Sequence, residues 1–345
     1  MDVSDFDYQL PPDRIAQAPA ASRDAARLLV VDRATGVLAD HVFRDLPDLL
    51  APGDLLVMND SRVIPARVFA RETMSGGDVE LLFVEPVGAA RWRALVRPGR
   101  RCRPGAELTV AGAAEPRLRV IAAEDDGTRT IEALSGTVDE LLATHGLPPL
   151  PPYIARHARP ETEDRERYQT IYSRADGSVA APTAGLHFSA DTLERLRARR
   201  VELASLTLHV GPATFRPLRA ARVEEHPLGS ERVTVSAATA AAVNEARAAG
   251  RRVVAVGTTT TRALEGIVAP DGTIAPFDGR VSLYIYPGHR FRIVGALVTN
   301  FHLPRTSLLV LVSAFAGREL ILEAYRHAIA AGYRFYSYGD ATLIV

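Results

Sequence analysis

Residues 252–262, RVVAVGTTTTR, predict a buried β-strand that ends at a glycine and runs directly into a helix. The valines of the first half favour an extended, buried segment, and the four threonines after Gly257 open a helix that continues to Ile267. A strand that passes into a helix in this way is typical of an α/β domain. In such domains the loops at the carboxyl ends of the strands bind ligands.

The same alternation extends to both sides of this stretch. Residues 201–210 predict another strand, and so do the apolar residues 293–298. An alanine-rich helix at residues 236–249 starts at a serine and ends before a glycine, and a further helix starts near Thr306 or Ser307. The carboxyl-terminal half therefore predicts a large α/β domain.

A different pattern occupies residues 79–135. Five short, roughly alternating segments, separated by Pro-Gly and Asp-Gly turn signals, predict β-strands at residues 80–84, 92–96, 107–110, 118–122 and 129–134. Their spacing is that of a small sandwich or barrel. A proline-rich connector, LPPLPPY at residues 147–153, follows them and disfavours helix.

Composition excludes several classes of enzyme. The 345 residues carry no net charge and all 41 basic residues are arginine, so Schiff-base, phosphate-loop and pyridoxal-phosphate lysines are absent. HExxH, CxxC and GxGxxG patterns are missing too, and the single Cys102 excludes a cysteine-rich metal cluster, so we expect no metal and no cofactor. The longest apolar run, residues 308–312, is far shorter than the ~20 residues of a membrane helix, and the first eight residues are acidic. These features predict a cytoplasmic protein that does not enter membranes.

Polar clusters at predicted loop positions are the candidates for chemistry. Thr258, Thr259 and Arg262 open a helix, where hydroxyl, guanidinium and backbone N–H groups suit an anion or a ribose. Similar clusters lie near other strands and contain His209 and Gly211 in TLHVG, Asn300 and His302 in TNFHLP, Thr183 and His187 in PTAGLHF, and Tyr338 and Asp340 in YSYGD. Each cluster also has a structural interpretation, because a threonine at a helix start is more often a cap and a lone histidine is more often structural. Their repeated placement at loops favours one composite pocket.

Six arginines and no acid fall between residues 91 and 103. Such a run fits a local contact with phosphates, for which Arg97, Arg100, Arg101 and Arg103 are the candidates. The alternative is an ordinary solvated hairpin in a chain that uses arginine for every basic residue.

Several stretches, in this order, resemble the S-adenosylmethionine:tRNA ribosyltransferase-isomerase family of queuosine biosynthesis. They are DFDYQLP (5–11), NDSRVIPAR (59–67), PTAGLHF (182–188), TLHVG (207–211), VGTTTTR (256–262), YIYPG (284–288), TNFHLP (299–304) and YRFYSYGDA (333–341), and they cover essentially the whole chain. The resemblance implies a larger α/β domain, residues 1–67 and 153–345, with an inserted small β-barrel domain at residues 68–152.

The resemblance also implies an unusual reaction in which S-adenosylmethionine is a co-substrate and ribosyl donor that is split into adenine and methionine. The acceptor is an aminomethyl-deazaguanine base (preQ1) at the wobble position of a tRNA with a GUN anticodon, and the product is epoxyqueuosine. A positive sulfur acidifies the neighbouring ribosyl carbon, so a histidine or carboxylate can act as base without metal or lysine. Asn59, Arg62 and Tyr286, which lie in matched stretches, join the expected substrate-binding residues. We expect a monomer.

The carboxyl ends of neighbouring strands converge on a shared crevice, so the sequence predicts one pocket that contains His302, Asn300, His209, Thr258, Thr259 and Arg262. A histidine with a pKa near neutrality can take and return a proton. We expect His302 to do so, since a loop position leaves its ring free to reach the substrate, and His209 and Asp340 are the alternatives.

The chain departs from the family pattern at four places. Gly229 stands where a second histidine is expected after His226, Gly295 replaces an aspartate, Pro212-Ala213 follows TLHVG, and Thr342 replaces a methionine. The first two support one alternative function, a paralogue that binds tRNA without transferring a ribosyl group. Another alternative is a sugar-nucleotide enzyme that does not act on RNA, in which the arginine run is ordinary surface.

Overall fold

A computed structural model of the chain describes residues 1–88, 90–115, 117–156, 161, 163–211, 218, 220–227 and 229–345. These residues form two compact units. The larger contains Met1–Arg62, Gln169–Ala175 and Ala181–Val345, and the smaller contains Val63–Tyr168 and Asp176–Ala180. The predicted class, an α/β domain with a small β-barrel, is confirmed. The limits of residues 68 and 152 for a separable inserted domain stay a prediction.

The strands are, in chain order, β1 Arg27–Val31, β2 Leu38–Val42, β3 Leu55–Asn59, β4 Ser61–Val63, β5 Arg67–Glu72, β6 Asp78–Gly88, β7 Arg91–Arg97, β8 Glu107–Val110, β9 Leu118–Ala123, β10 Arg129–Ala133, β11 Ala175–Ser178, β12 Glu202–Leu208, β13 Glu231–Val235, β14 Val253–Val256, β15 Phe277–Val281, β16 Ala296–Asn300 and β17 Ala341–Ile344. The helices are α1 Leu46–Leu49, α2 Val138–His145, α3 Asp164–Arg167, α4 Ala190–Ala198, α5 Ala237–Ala248, α6 Thr258–Ile267, α7 Ser307–Ala316 and α8 Arg318–Ala330. None of these helices is long and apolar enough to cross a membrane.

A nine-stranded mixed sheet in the order β15-β13-β12-β3-β14-β16-β17-β1-β2 forms the centre of the larger unit. Its four middle strands, β12, β3, β14 and β16, are parallel, so their carboxyl ends meet at one edge. β17 runs antiparallel to β16, and its first residue lies opposite Asn300 at that same edge. The sheet thus brings together the ends of five strands where an α/β protein places its ligands.

Local sequence explains the ends of the helices that follow these strands. Ser236 caps α5 by accepting the N–H of Thr239 at 3.1 Å, and Thr306 caps α7 by accepting the N–H of Leu309 at 3.4 Å. Strand β16 begins three residues later than predicted. The reason is the buried carboxylate of Glu265, whose oxygens accept the N–H groups of Arg292, Ile293 and Val294 and so take them out of the ladder.

The smaller unit contains a closed barrel in the order β10-β7-β6-β5-β8-β9. Alternate residues of these strands point inward and form one apolar core that includes Leu81, Phe83, Trp92 and Ile131. The sequence predicts five of the six strands. The sixth, β5, opens with Arg67, a buried arginine that pairs with Glu80 at 3.0 Å and breaks the apolar alternation.

Candidate active site

A cleft of the larger unit lies at the carboxyl ends of β14 and β16, beside the residues that follow β12. Its wall includes Thr183, Val210, Thr258, Thr259, Asn300, His302 and Tyr336. Polar side chains at the ends of β14 and β16, before β17 and in the PTAGLHF segment therefore meet in one place. Of the six residues predicted to share a pocket, four do: His302, Asn300, Thr258 and Thr259.

The start of α6 supplies hydrogen-bond donors to this cleft. Gly257 precedes the helix with φ +90°, a conformation that favours glycine, and as the N-cap residue it has no side chain with which to cap the helix. Thr260 and Thr261 turn their hydroxyls back onto the carbonyls of Val256 and Gly257. The N–H groups of the first turn have no acceptors within the helix, so they are suited to an anion or a ribose oxygen.

Asn300 is the centre of a buried hydrogen-bond network. As the last residue of β16 it accepts a hydrogen bond from the Thr183 hydroxyl at 2.9 Å and donates to the carbonyl of Tyr336 at 3.2 Å. Its amide nitrogen also lies 3.1 Å from Nε2 of His187, which must accept because the amide nitrogen only donates. This network fixes the PTAGLHF and YSYGD segments against the end of β16.

His302 also lines the cleft, but it is held more firmly than its loop position suggests. It is 4% exposed, and its Nε2 lies 3.1 Å from the hydroxyl of Thr299. Its N–H donates to the Tyr325 hydroxyl at 3.0 Å, and its carbonyl accepts a hydrogen bond from Tyr8. Burial lowers its pKa to about 3. The expected pKa near neutrality is therefore wrong, because a buried ring loses the water that stabilises its charged form.

Acid should destabilise the protein through these two histidines. Burial, with a smaller effect of Arg334 and Arg23, also lowers the pKa of His187 to about 3. The unfolded chain, whose histidines titrate near 6.5, then binds protons that the folded chain does not, so stability is lost as the pH falls from 6.5 towards 3. We expect a loss of about 2 kcal/mol per histidine between pH 7.5 and pH 5.

Urea unfolding at both pH values checks this expectation. His187→Gln should show a drop smaller than that of the wild-type protein by about 2 kcal/mol. His41→Gln, which changes a histidine that is one-third exposed, should follow the wild-type protein. An equal drop in His187→Gln and wild type would contradict the assignment.

Arg262 and His209 do not belong to the described wall of this cleft. Arg262 forms a buried ion pair with Glu231 at 2.7 Å and donates to the carbonyl of Leu283 at 3.2 Å. The other oxygen of Glu231 accepts the N–H of Gly211 at 3.2 Å. Through Glu231 and Leu283, Arg262 connects α6 to the segment after β12 and to the segment after β15. The first turn of α6 lines the cleft. His209 directly follows the last residue of β12 and precedes Val210, which lines the cleft. The backbone N–H of His209 donates to the carbonyl of Arg232.

Sequence reasoning missed Glu231, although a signal was present. The strand ERVTV alternates so that Glu231 shares the buried face with Val233 and Val235. An acid on the apolar face of a strand needs a cationic partner, and Arg262 is that partner.

The remaining predicted residues have clear structural contacts. Asn59 donates to the carbonyl of Leu208 and accepts its N–H, at 2.9 and 3.0 Å, so it joins β3 to β12. Both carboxylate oxygens of Asp340 accept backbone N–H groups, from Arg27 at 2.9 Å and Arg334 at 2.7 Å. Tyr338 is buried, Tyr286 is half-buried against Tyr284, and Arg62 is exposed. None of these five residues lines the cleft within the part of the chain that is described.

In the described residues, no group of three or more histidine, cysteine, aspartate or glutamate side chains is arranged to hold a metal ion. The described wall of the cleft presents hydroxyls, an amide, a helix start and an imidazole.

A profile of queuosine biosynthesis proteins matches residues 3–344 of this sequence. The chain belongs to that family. The S-adenosylmethionine:tRNA ribosyltransferase-isomerase of Symbiobacterium thermophilum is 49% identical over 346 residues, and the alignment covers all of both chains. The enzyme of the same description from Anaeromyxobacter dehalogenans is 51% identical over 348 residues, which cover 100% of this chain and 99% of the relative.

A solved structure gives the same result. The crystal structure of the S-adenosylmethionine tRNA ribosyltransferase from Thermotoga maritima matches with a TM-score of 0.56 and 38% identity, over 99% of this chain and 100% of that chain. The family resemblance inferred from the motifs is confirmed.

The departures from the family pattern leave the described wall of the cleft intact. Gly295 precedes β16, at the opposite end of that strand from Asn300 and roughly 17 Å away at the rise of an extended chain. A Cβ at Gly229 meets no described atom within 4 Å. Thr342 lies within β17, where its hydroxyl donates to the carbonyl of Thr299 at 3.3 Å. Pro212-Ala213 lies outside the described residues.

The arginines of the run in the smaller unit fall into three classes according to their contacts. Arg91 and Arg93 are paired, with Glu132 at 2.8 Å and Glu85 at 3.1 Å. Arg97, Arg100 and Arg103 are exposed and make no ion pair with any residue that the structure describes. Arg101 donates to the carbonyl of Asp78 at 2.8 Å. Three guanidinium groups thus remain available to phosphates.

Proposed function

We propose that this chain transfers and isomerises the ribosyl group of S-adenosylmethionine onto the preQ1 base at the tRNA wobble position, giving epoxyqueuosine-tRNA, adenine and methionine. The observation that carries the proposal is the polar cleft at the carboxyl ends of β14 and β16, in a chain that is similar over its whole length to enzymes named for this transfer. A GUN anticodon, a cytoplasmic location and a monomeric state belong to the same proposal.

The donor binds at the start of α6. Thr258, Thr259 and the uncapped N–H groups of the first turn suit the ribose hydroxyls or the methionine carboxylate. Thr183 and Asn300 face the same cleft and complete its polar wall. His187, which accepts from Asn300, keeps that amide in one orientation.

Proton transfer is assigned to His302, because it is the histidine of the described wall that approaches the substrate space. The neutral ring is the form that accepts a proton, and the positive sulfur acidifies the neighbouring ribosyl carbon that gives it up. The nucleophile is the amine of the preQ1 base, which the RNA supplies. His209 is the alternative base, whereas the contacts of Asp340 support a role in fixing β17 to β1.

Substitution of the unpaired barrel arginines should weaken tRNA binding without slowing transfer at saturating tRNA. For Arg100→Ala with Arg103→Ala, each lost phosphate contact lowers the slope of log affinity against log salt by about 0.7–0.9. Affinities measured between 50 and 200 mM salt check this. Arg91→Ala is the matched control, because Arg91 is equally on the barrel but already paired with Glu132. If the double variant keeps the wild-type slope of log affinity against log salt, the arginine run is ordinary surface that does not bind phosphates.

Activity should persist when metal ions are removed. Hydroxyl, amide and imidazole groups line the cleft and can stabilise charge without a Lewis acid. Turnover is measured after exhaustive chelation and after each divalent ion is added back. Loss of turnover that one ion restores would refute the expectation.

Mass analysis of nucleosides from digested tRNA tests the proposed function. Incubation of the protein with S-adenosylmethionine and preQ1-containing tRNA should convert the precursor nucleoside to epoxyqueuosine, and tRNA with guanine at that position should be unchanged. Binding of tRNA without conversion would indicate the paralogue. Neither binding nor conversion would favour the sugar-nucleotide enzyme.

A further inference from the structure

A second cleft of the larger unit, about 370 Å³ in volume, shares no wall residue with the proposed donor site. It lies between α4, the first half of β12 and the segment 171–174. Met58, Leu203 and Tyr172 make part of its wall apolar, and Ile171 stands at its rim with 44% of its surface exposed. A volume of this size, with an apolar floor and several polar groups in the wall, is usual for a ligand site.

The floor of the cleft includes residues of β12 that have β3 but not β13 as a neighbouring strand. In the described part of the chain, β13 pairs only with Thr207 and Leu208, whereas β3 pairs with residues 202–206. Leu203, Ala204 and Ser205, which lie in the part of β12 that β13 does not pair with, are half-buried. This stretch of β12 forms an apolar floor beside a polar strand edge.

Two arginines line this cleft, and they differ in whether an acidic side chain pairs with them. Arg174 is 72% exposed and is held in place by Asp60 at 3.0 Å and by the Ser205 hydroxyl at 2.8 Å. Arg197 is exposed and has no acidic partner among the described residues. Arg195 on α4 and Arg199, the residue that follows α4, both pair with Asp48. Within the part of the chain that the structure describes, the cleft therefore carries one guanidinium group without an ion pair.

We propose that this cleft binds one nucleotide of the tRNA strand, with its phosphate at Arg197 and Arg174 and its base or ribose on the floor formed by Met58 and Leu203. An anion complements the guanidinium charge, and a flat or apolar group attached to that anion complements the apolar floor. A nucleotide has both, since a base stacks on aromatic and apolar side chains while arginine binds phosphate. This inference rests on the proposed function, which brings tRNA to the protein.

Arg197→Ala tests the site, with Arg199→Ala, two residues further along the chain, as the matched control. Loss of one phosphate contact should weaken tRNA binding about sixfold at 0.1 M salt and lower the salt slope by about 0.8. Arg199→Ala should bind like the wild-type protein. The KM for S-adenosylmethionine and the turnover at saturating tRNA should be unchanged in both variants, because neither residue lines the donor site.

Ile171, at the rim of the cleft, allows an independent test with a pair of variants. Ile171→Glu places a negative charge beside the expected phosphate and should weaken tRNA binding at least as much as Arg197→Ala, whereas Ile171→Gln should weaken it much less. Wild-type affinity and salt slope in Arg197→Ala overturn the inference and leave the proposed function standing, provided that the wild-type protein binds and modifies tRNA. A wild-type protein that does not bind tRNA overturns both.

Discussion

Arg262→Met is expected to lower the free energy of unfolding by about 3–5 kcal/mol, because it removes the buried cation that pairs with the Glu231 carboxylate. Both side chains are more than nine-tenths buried, and their atoms are 2.7 Å apart. The carbonyl of Leu283 also loses a donor. Urea unfolding at pH 7.5 measures the change.

Two controls separate the buried charge from a general loss of packing. Arg251→Met removes an arginine whose ion pair with Glu202, at 2.6 Å, is one-quarter to one-half exposed, and it should cost less than about 1 kcal/mol. Arg262→Met combined with Glu231→Leu removes both charges and should be more stable than Arg262→Met alone. If the free energy of unfolding of Arg262→Met lies within 1 kcal/mol of the wild-type value, Arg262 and Glu231 do not form a buried ion pair, since a cost that small is typical of a solvent-screened pair.

His302→Gln is expected to lower turnover by roughly 100-fold or more with little change in the affinity for either substrate. Glutamine can keep the hydrogen bond to Thr299 but cannot take a proton from the ribosyl carbon. A residue with only a structural role would shift stability and KM rather than turnover alone.

The pH profile gives a second test of His302. Because burial lowers the pKa of the ring to about 3, the wild-type profile should show no acid limb from this group between pH 5.5 and 8. Near-normal turnover in His302→Gln, with the variant folded and both substrates bound, would return His302 to a structural role and make His209 the leading candidate for the base.

Much of the larger unit follows from local sequence. The stretch 252–262 forms a strand and a helix as predicted, and serine or threonine caps begin α5 and α7 where the sequence places them. Convergence of strand ends correctly brings Thr258, Thr259, Asn300 and His302 to one cleft. Periodicity and capping act over a few residues, so a single sequence contains enough information to locate them.

The features that were not predicted depend on contacts between distant residues. The pairing of Arg262 with Glu231 joins positions 31 residues apart, and the low pKa of His302 depends on burial by the surrounding fold. Glu265 shortens β16 by binding N–H groups 27 to 29 residues ahead of it. Local patterns contain no information on such tertiary partners, so the roles of individual side chains need the structure.

The stoichiometry of the reaction tests the central claim most directly. Ribose-labelled S-adenosylmethionine and preQ1-containing tRNA are incubated with the protein, and adenine release and label incorporation into tRNA are counted together. The account predicts one adenine released for each labelled ribosyl group attached to tRNA, with both absent when the tRNA lacks preQ1. Adenine release without incorporation, or no release under conditions where both substrates bind, would contradict it.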